Sequence, residues 1–404
     1  MEENALEVAS LAGHILLENG AEIARVEETM ERIASHYGEE SENFFVLSNG
    51  IFTTGESGYA KVEFIPFKGA QLERVVEVNQ ISRDIACDRY TLAEARQKLL
   101  EVRSNPAKPK LEQIIGSAVG SAGFCMIFGG GLLDAAAAFV VGALLWTFVV
   151  FVSVPYLSKI LGNIAGGVVA SLLCLLFHKV GFGSSLGNMI VGSLIPLIPG
   201  VAFTNGIRDL ADEDYIAGAT RLLDALMVFF CIAAGVVITF MIYRLAAGSM
   251  LVVDGVEPDA LTGGMLFQAL AAFVGTLGFS VLFGVPGREY LRTAVVATVG
   301  WMTYLLLVRY TVLGIAASTF FATMVVVLLA RLFAVWFRMP ETVYLITGVF
   351  PMIPGGGIFW TTFFLVSNRL PLAMHSGMTA LAVTAAIVLG IVLISSLPRK
   401  LFHR

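Results

Sequence analysis

Charge is scarce in this sequence. Only 14% of its 404 residues are Asp, Glu, Lys or Arg, while 57% are hydrophobic; an ordinary soluble domain carries ~25% charged residues. The scarcity is uneven. Residues 1–110 hold most of the acidic side chains, and from Leu111 onward apolar runs are broken only by short polar joints. Cysteine is sparse as well. Cys87, Cys125, Cys174 and Cys231 stand alone, with no CxxC, and three of them fall in apolar runs where they read as small hydrophobes. The five histidines are scattered and no HExxH occurs, so no metal and no cofactor is expected. No basic stripe supports a nucleic-acid partner, and without a GxxxxGK[ST] loop primary active transport is not expected. The start, Met1-Glu2-Glu3-Asn4, is acidic where a signal peptide would be basic. Residues 1–110 are therefore expected in the cytoplasm.

That first region reads as a small α+β domain. Residues 4–19 and 21–37 have helical apolar spacing and end at Gly20 and Gly38. Two strand-like runs follow, Asn43–Leu47 and Tyr59–Ile65, with a glycine-rich turn between them. A long helical stretch from Gln71 to Arg103 is expected to break near Arg89-Tyr90-Thr91. The segment Asn105–Lys110 reads as a linker. Glu22, Arg25, Glu27, Glu28, Glu31 and Arg32 read as a solvated helix face with i,i+4 pairs. No Ser/His/Asp arrangement is present, and an enzyme is not expected.

Residues 111–404 predict a mostly helical polytopic membrane domain. Apolar runs that reach the ~20 residues of a span lie near 112–131, 133–153, 160–178, 186–205, 222–243, 261–283, 291–308, 311–333, 342–365 and 374–396. Placing the N-terminus inside puts Lys108, Lys110, Lys159, Arg208, Arg221, Arg288, Arg292, Arg331, Arg338, Arg399, Lys400 and Arg404 on the cytoplasmic side. Only Lys179, Arg244, Arg309 and Arg369 then lie outside. Both termini are expected in the cytoplasm of a bacterial inner membrane.

The two halves of this domain match at one shift of 155 residues. Gly120-Ser121-Ala122-Gly123-Phe124 aligns with Gly275-Thr276-Leu277-Gly278-Phe279, Pro196-Leu197-Ile198-Pro199-Gly200 with Pro351-Met352-Ile353-Pro354-Gly355, and Asp134 with Glu289. A five-span unit has an odd number of crossings, so its second copy enters from the opposite side, which predicts inverted repeats over 111–250 and 251–404. Two prolines and a glycine should unwind the fourth and ninth spans. Unwound backbone at membrane depth must be buried in protein or line a cavity. Pro196, Pro199, Gly200, Pro351, Pro354, Gly355 and Gly356 are thus candidate substrate-binding positions. Asp134 and Glu289 are candidate binding or proton-coupling acids, and Asn163 and Asn205 candidate polar contacts. Arg208, Asp209 and Asp224 are candidate gating residues. Beside these functional readings stand plain ones: packing kinks for the prolines, interfacial acids for Asp134 and Glu289, a salt-bridged acid for Asp224 and a solvated loop for Arg208 to Asp214. Gly162, Gly166 and Gly167 are expected to serve close helix packing.

Gly20-Ala21-Glu22 with Arg25-Val26-Glu27-Glu28, Phe128-Gly129-Gly130 followed by Asp134, and Ile198-Pro199-Gly200 with Asn205 and Asp209 together resemble the threonine/serine exporter family. The second half, with Gly287-Arg288 and Pro351–Gly357, resembles that family's smaller C-terminal membrane component, here fused to the first. The resemblance implies ten spans, a soluble N-terminal domain and proton-driven export of threonine and serine, for which the two mirror-related states of an inverted repeat would supply alternating access. Relatives in two separate parts are associated with succinate, so a dicarboxylate exporter is the alternative. A membrane-anchored sensor or hydrolase is a third. The expected partners are a small polar metabolite, protons and the lipid bilayer, with homo-oligomerisation left open.

Overall fold

Asn4 opens the first helix by accepting the Leu6 N–H at 2.8 Å, the capping chemistry its short polar side chain favours. The structure, a computed structural model, describes residues 4–39, 44–55, 60–247 and 263–398. Arg399, Lys400, Arg404, the division at 250–251, the start of the 261–283 span and the strand ends Asn43 and Tyr59 lie outside the described residues.

In the N-terminal region α1 (Ala5–Glu18) packs on α2 (Ile23–His36), α3 (Leu72–Ile85) and α4 (Leu92–Ser104). The break expected near Thr91 is there, and Thr91 and Glu94 form a capping box at the start of α4. The sheet has three strands, β1 (Phe44–Leu47), β2 (Gly50–Thr54) and β3 (Ala60–Phe64), in antiparallel order β1-β2-β3. β2 is a correction to the turn expected there. Ile51 and Thr53 alternate inward from it, and a tight Ser48-Asn49 turn pairs it to β1. Leu6, Ile15, Val26, Met30, Ile51, Val75 and Leu99 are among the residues that close the core of this region.

The rest is helical: α5 (Lys110–Ile127), α6 (Leu132–Tyr156), α7 (Lys159–Lys179), α8 (Leu186–Leu197), α9 (Gly200–Ala211), α10 (Tyr215–Ala247), α11 (Met265–Leu282), α12 (Gly287–Tyr310), α13 (Ile315–Phe337), α14 (Glu341–Met352), α15 (Gly355–Leu365) and α16 (Leu370–Ser395). Seven of these described helices are long and apolar enough to cross a membrane, and nine segments are if each bent pair, α8–α9 and α14–α15, is one span. α5 falls short of that apolarity because Lys110, Glu112 and Gln113 fill its first turn. Outward-facing Phe139, Leu172, Phe230, Met241, Phe321 and Leu389 supply exposed apolar surface that suits lipid contact. The chain is a polytopic membrane protein.

Helix starts repeat at the sequence shift. α5, α6, α8, α9 and α10 begin 155 residues before α11, α12, α14, α15 and α16, and α7 begins within one residue of the same relation to α13. Gly129 and Gly284 end α5 and α11 with φ of 95° and 59°, a left-handed turn that glycine enters without Cβ strain. Trp146 donates its indole N–H to Gln113 at 3.2 Å, and Trp301 donates to Gln268 at 3.1 Å.

α5 and α11 lie in close contact and run antiparallel. Gly116 faces Gly278 and Val281, Gly120 faces Gly278 and Phe279, and Gly123 faces Gly275 and Ala271. Small residues let the two backbones approach. Gly167 likewise seats α7 on α10 against Ile232, and Gly166 meets Leu197.

The N-terminal domain is joined to the helical part by backbone bonds. The Leu72 N–H donates to the Phe283 carbonyl at 3.0 Å and the Glu73 N–H to the Gly284 carbonyl at 2.7 Å. Helix ends at Arg208, Phe283 and Arg338, and helix starts at Thr220 and Thr342, lie on this domain-covered face.

Candidate functional site

Each helix break is a 3₁₀ turn followed by two non-helical residues. Pro196 and Pro351 sit in the turns. Ile198 and Ile353 are extended, at φ −66°, ψ 129° and φ −60°, ψ 127°, because the prolines that follow disfavour the helical region for them. Helix resumes at Gly200 and Gly355 after Pro199 and Pro354. The Gly200 N–H donates to the Ile198 carbonyl at 2.8 Å and the Gly355 N–H to the Ile353 carbonyl at 2.7 Å. The bends are 66° and 41°.

The breaks meet each other. A Cβ on Gly200 would enter the Phe350 ring, and one on Gly355 would strike Ile198. Phe124 and Phe279, equivalent under the shift, pack edge-on at 5.0 Å, and Phe350 joins them at 5.3 and 4.5 Å. Phe283 closes on Phe350 at 5.1 Å. Such ring pairs contribute ~0.5–1.5 kcal/mol each beyond area burial.

Two cavities flank this centre, on opposite sides. One, of about 330 Å³, lies beneath the N-terminal domain and is lined by Val201, Ala202, Asn205, Thr220, Arg221 and Asp224, with Lys159 beside them. The other, of about 220 Å³, is lined by Gly356, Gly357, Trp360, His375, Ser376 and Thr379. Those six residues are the first six moved by 155. The second cavity lies away from the domain, among the last turns of α12 and the first turns of α13 and α16. Pro351 and Pro354 also border it.

The domain covers part of the first cavity through the α1–α2 turn, four consecutive residues of which are held. Asn205 donates to the Gly20 carbonyl at 2.7 Å, and Arg221 to the Ala21 carbonyl at 3.0 Å. Thr342 donates to the Glu22 carboxylate at 2.7 Å, and Asp209 accepts the Ile23 N–H at 3.1 Å. Glu22 also pairs with Arg25 at 2.7 Å and Arg208 at 3.6 Å. Arg208 extends to Glu341 at 3.5 Å, and Arg221 pairs with Asp209 at 2.7 Å. Burial pushes the Glu22 carboxyl up, but Arg25, Arg208 and the Thr342 hydroxyl overcome it and hold it at about 2. Glu22 is therefore not part of the solvated face expected from sequence: it is 1% exposed. Arg208 and Asp209, read as the start of a charged loop, lie inside α9.

The paired acids take equivalent places. Asp134 accepts backbone N–H groups from Gly131 at 2.9 Å, Ser184 at 2.6 Å and Ser185 at 2.9 Å, tying the start of α6 to the entry of α8. Glu289 accepts the Tyr344 hydroxyl at 2.6 Å and Arg292 at 2.8 and 3.0 Å, tying the start of α12 to α14. Neither lines a cavity described above. Asn163 donates to the Lys159 carbonyl on its own helix at 2.9 Å. Asp224 pairs with Lys159 at 2.5 and 2.6 Å. The structure thus brings Asn205 and Asp224 into one cavity, borders the other with Pro351, Pro354 and Gly356, and leaves Asp134, Asn163 and Glu289 apart.

Sequence reasoning missed Lys159 and Thr220 in the first cavity, and Trp360, His375, Ser376 and Thr379 in the second. Carrying the shift of 155 from Asn205 and Asp224 would have reached Trp360 and Thr379. Asn188 was missed too. With its amide turned to satisfy both ends, it donates to the Phe128 carbonyl at 3.0 Å and accepts from the Gly130 N–H at 3.2 Å.

A family profile described as "Putative threonine/serine exporter" matches residues 7–243, and one described as "Threonine/Serine exporter, ThrE" matches residues 268–397. The chain is similar to the threonine/serine exporter of Corynebacterium glutamicum, at 21% identity over 98% of this chain and 83% of that protein. It is also similar to the "Probable threonine/serine exporter" of Mycobacterium tuberculosis (strain ATCC 25618 / H37Rv), at 22% identity over 87% and 68%. No solved structure matches it.

Proposed function

The chain belongs to the threonine/serine exporter family, a family of transporters rather than enzymes, and from that premise we propose that it exports threonine and serine by proton-coupled alternating access. The observation that carries this reading is the pair of broken helices with equivalent cavities on opposite sides. Antiparallel packing of the equivalent helices α5 and α11 supports an inverted repeat. Such a repeat offers two mirror-related states, one open to each face. The domain-covered face is then the cytoplasmic one, and α5 supplies the tenth span. The N-terminal domain then caps part of the inner side. The Arg208–Glu22 contact is the gate, and Asp134 and Glu289 hold the helix entries so that the breaks keep their shape.

The outer cavity, smaller than the ~300–1,000 Å³ of drug-sized pockets, suits a solute of amino-acid size. A dicarboxylate would want unpaired cationic groups in both cavities; Lys159 and Arg221 line only the domain-side one, each paired with an acid, and no Lys or Arg lines the outer one. Arg288 and Arg292 line neither one, and Arg292 is held by Glu289 and stacks 3.5 Å from the Phe337 ring centre. Flux into inverted proteoliposomes tests the reading, with labelled threonine, serine and succinate, with and without a pH gradient. Saturable threonine and serine uptake that collapses with the gradient is expected. Succinate uptake alone, or no gradient effect, would overturn it.

A further inference from the structure

The two cavities share their backbone frame but not their charge. In the cavity beneath the domain, Lys159 and Asp224 form an ion pair with side chains about half exposed, at 58% and 47%. A pair so exposed contributes little to folding, so it opens at little cost. Asn205 is 2% exposed, and its Oδ1 has no hydrogen-bond partner among the described residues. A buried amide oxygen left unpaired is costly, and this one belongs to a cavity-lining side chain. Thr220 and Ser48 place two hydroxyls at the same wall, 2.9 Å apart. The residues 155 positions after Lys159, Asn205 and Asp224 are Gly314, Trp360 and Thr379. None carries charge.

We propose that the domain-side cavity is the loading site for a free α-amino acid bearing a side-chain hydroxyl, and that the outer cavity, lined by no Lys, Arg, Asp or Glu, is its release site. This rests on the transport reading above. The substrate carboxylate takes Lys159, its ammonium takes Asp224 and the unpaired Asn205 oxygen, and its hydroxyl meets Thr220 and Ser48. With the Lys159–Asp224 pair on the loading side, and His375 but no Lys, Arg, Asp or Glu on the other, the frame binds the zwitterion tightly where it enters and weakly where it leaves. The asymmetry favours filling on one side and emptying on the other, while the proton gradient of the transport reading sets the direction.

Binding of labelled L-threonine to the full chain in nanodiscs tests this, with N-acetylthreonine and threonine methyl ester as competitors. Each analogue removes one charge. Wild type should reject both by about tenfold or more, the scale of one lost charge-assisted hydrogen bond. Asp224→Asn should stop discriminating against N-acetylthreonine yet still reject the ester, and Lys159→Met should do the converse. A merely structural ion pair would weaken both discriminations together, and that result would overturn the assignment. So would equal competition by both analogues in wild type, a reading that needs no variant to fold. Threonine flux without this analogue pattern would sink the site and spare the transport reading. The analogue pattern without flux would do the reverse.

Discussion

Gly123→Val is expected to abolish recovery of folded protein. A Cβ there would lie 2.5 Å from the Gly275 nitrogen and 2.9 Å from the Ala271 carbonyl. Both neighbours are backbone, so neither can rotate away. Overpacking of side chains costs ~1–3 kcal/mol; here the whole of α5 must move off α11, and the cost should exceed that range. The damage would spread, because Phe124 follows in sequence and anchors the ring cluster between the breaks. Gly314 precedes α13 as its N-cap, with φ −71° and nothing within 4 Å of its Cβ position, so Gly314→Ala should leave recovery unchanged. Size-exclusion profiles of fluorescently tagged protein in detergent measure both. A monodisperse Gly123→Val peak at wild-type yield would show that α5 and α11 do not pack as described.

Arg208→Met should undock the N-terminal domain. Its removal leaves Glu22, 1% exposed, without one of its two cations, and takes one of the cations from Glu341. Breaking a buried pair from one side costs ~3–5 kcal/mol. Limited proteolysis of the 105–110 linker reads the result: cleavage should accelerate at least tenfold over wild type. The double variant Glu22→Gln/Arg208→Met should recover part of the loss, since no unpaired charge remains at position 22. The pH dependence has a definite sign. The carboxyl is held at about 2, below an ordinary 4.5, by Arg25 within its own domain and by Arg208 and Thr342, which it meets only when docked. Its contribution is therefore fully present above about pH 4.5 and lost as pH falls toward 2. Wild-type linker protection should hold from neutral pH to about 5, then fall. Unchanged protection in Arg208→Met would remove the gate from the account.

Much of the helical frame was legible because glycine and proline mark backbone events that few other residues permit. The breaks at Pro196 and Pro351 could be read from local chemistry alone, and the shared shift joined them, whereas the span expected over 112–131 ran through Gly129, where the helix has already ended. β2 was not legible: Gly50 at its start and Thr53-Thr54-Gly55 at its end look like turn residues, and only pairing to β1 and β3 makes them a strand. Glu22 misled for a related reason. On α2 alone it continues a charged stripe with Arg25 and Glu28, and its burial comes from α9 and α14, nearly two hundred residues and more away. Lys159 was counted as a sidedness marker. Its place opposite Asp224 depends on α7 packing against α10, which no local pattern encodes.

Paired cysteines test the alternation of the two cavities most directly. Ala202→Cys reports on the domain-side cavity and Thr379→Cys on the outer one, each in a background with the native cysteines replaced. Labelling rates with a membrane-impermeant maleimide would be measured in vesicles of each orientation, with and without threonine and a pH gradient. Threonine and the gradient together should slow one site and speed the other. Rates that rise or fall in step, or that ignore substrate, would contradict a carrier that opens one cavity by closing its counterpart.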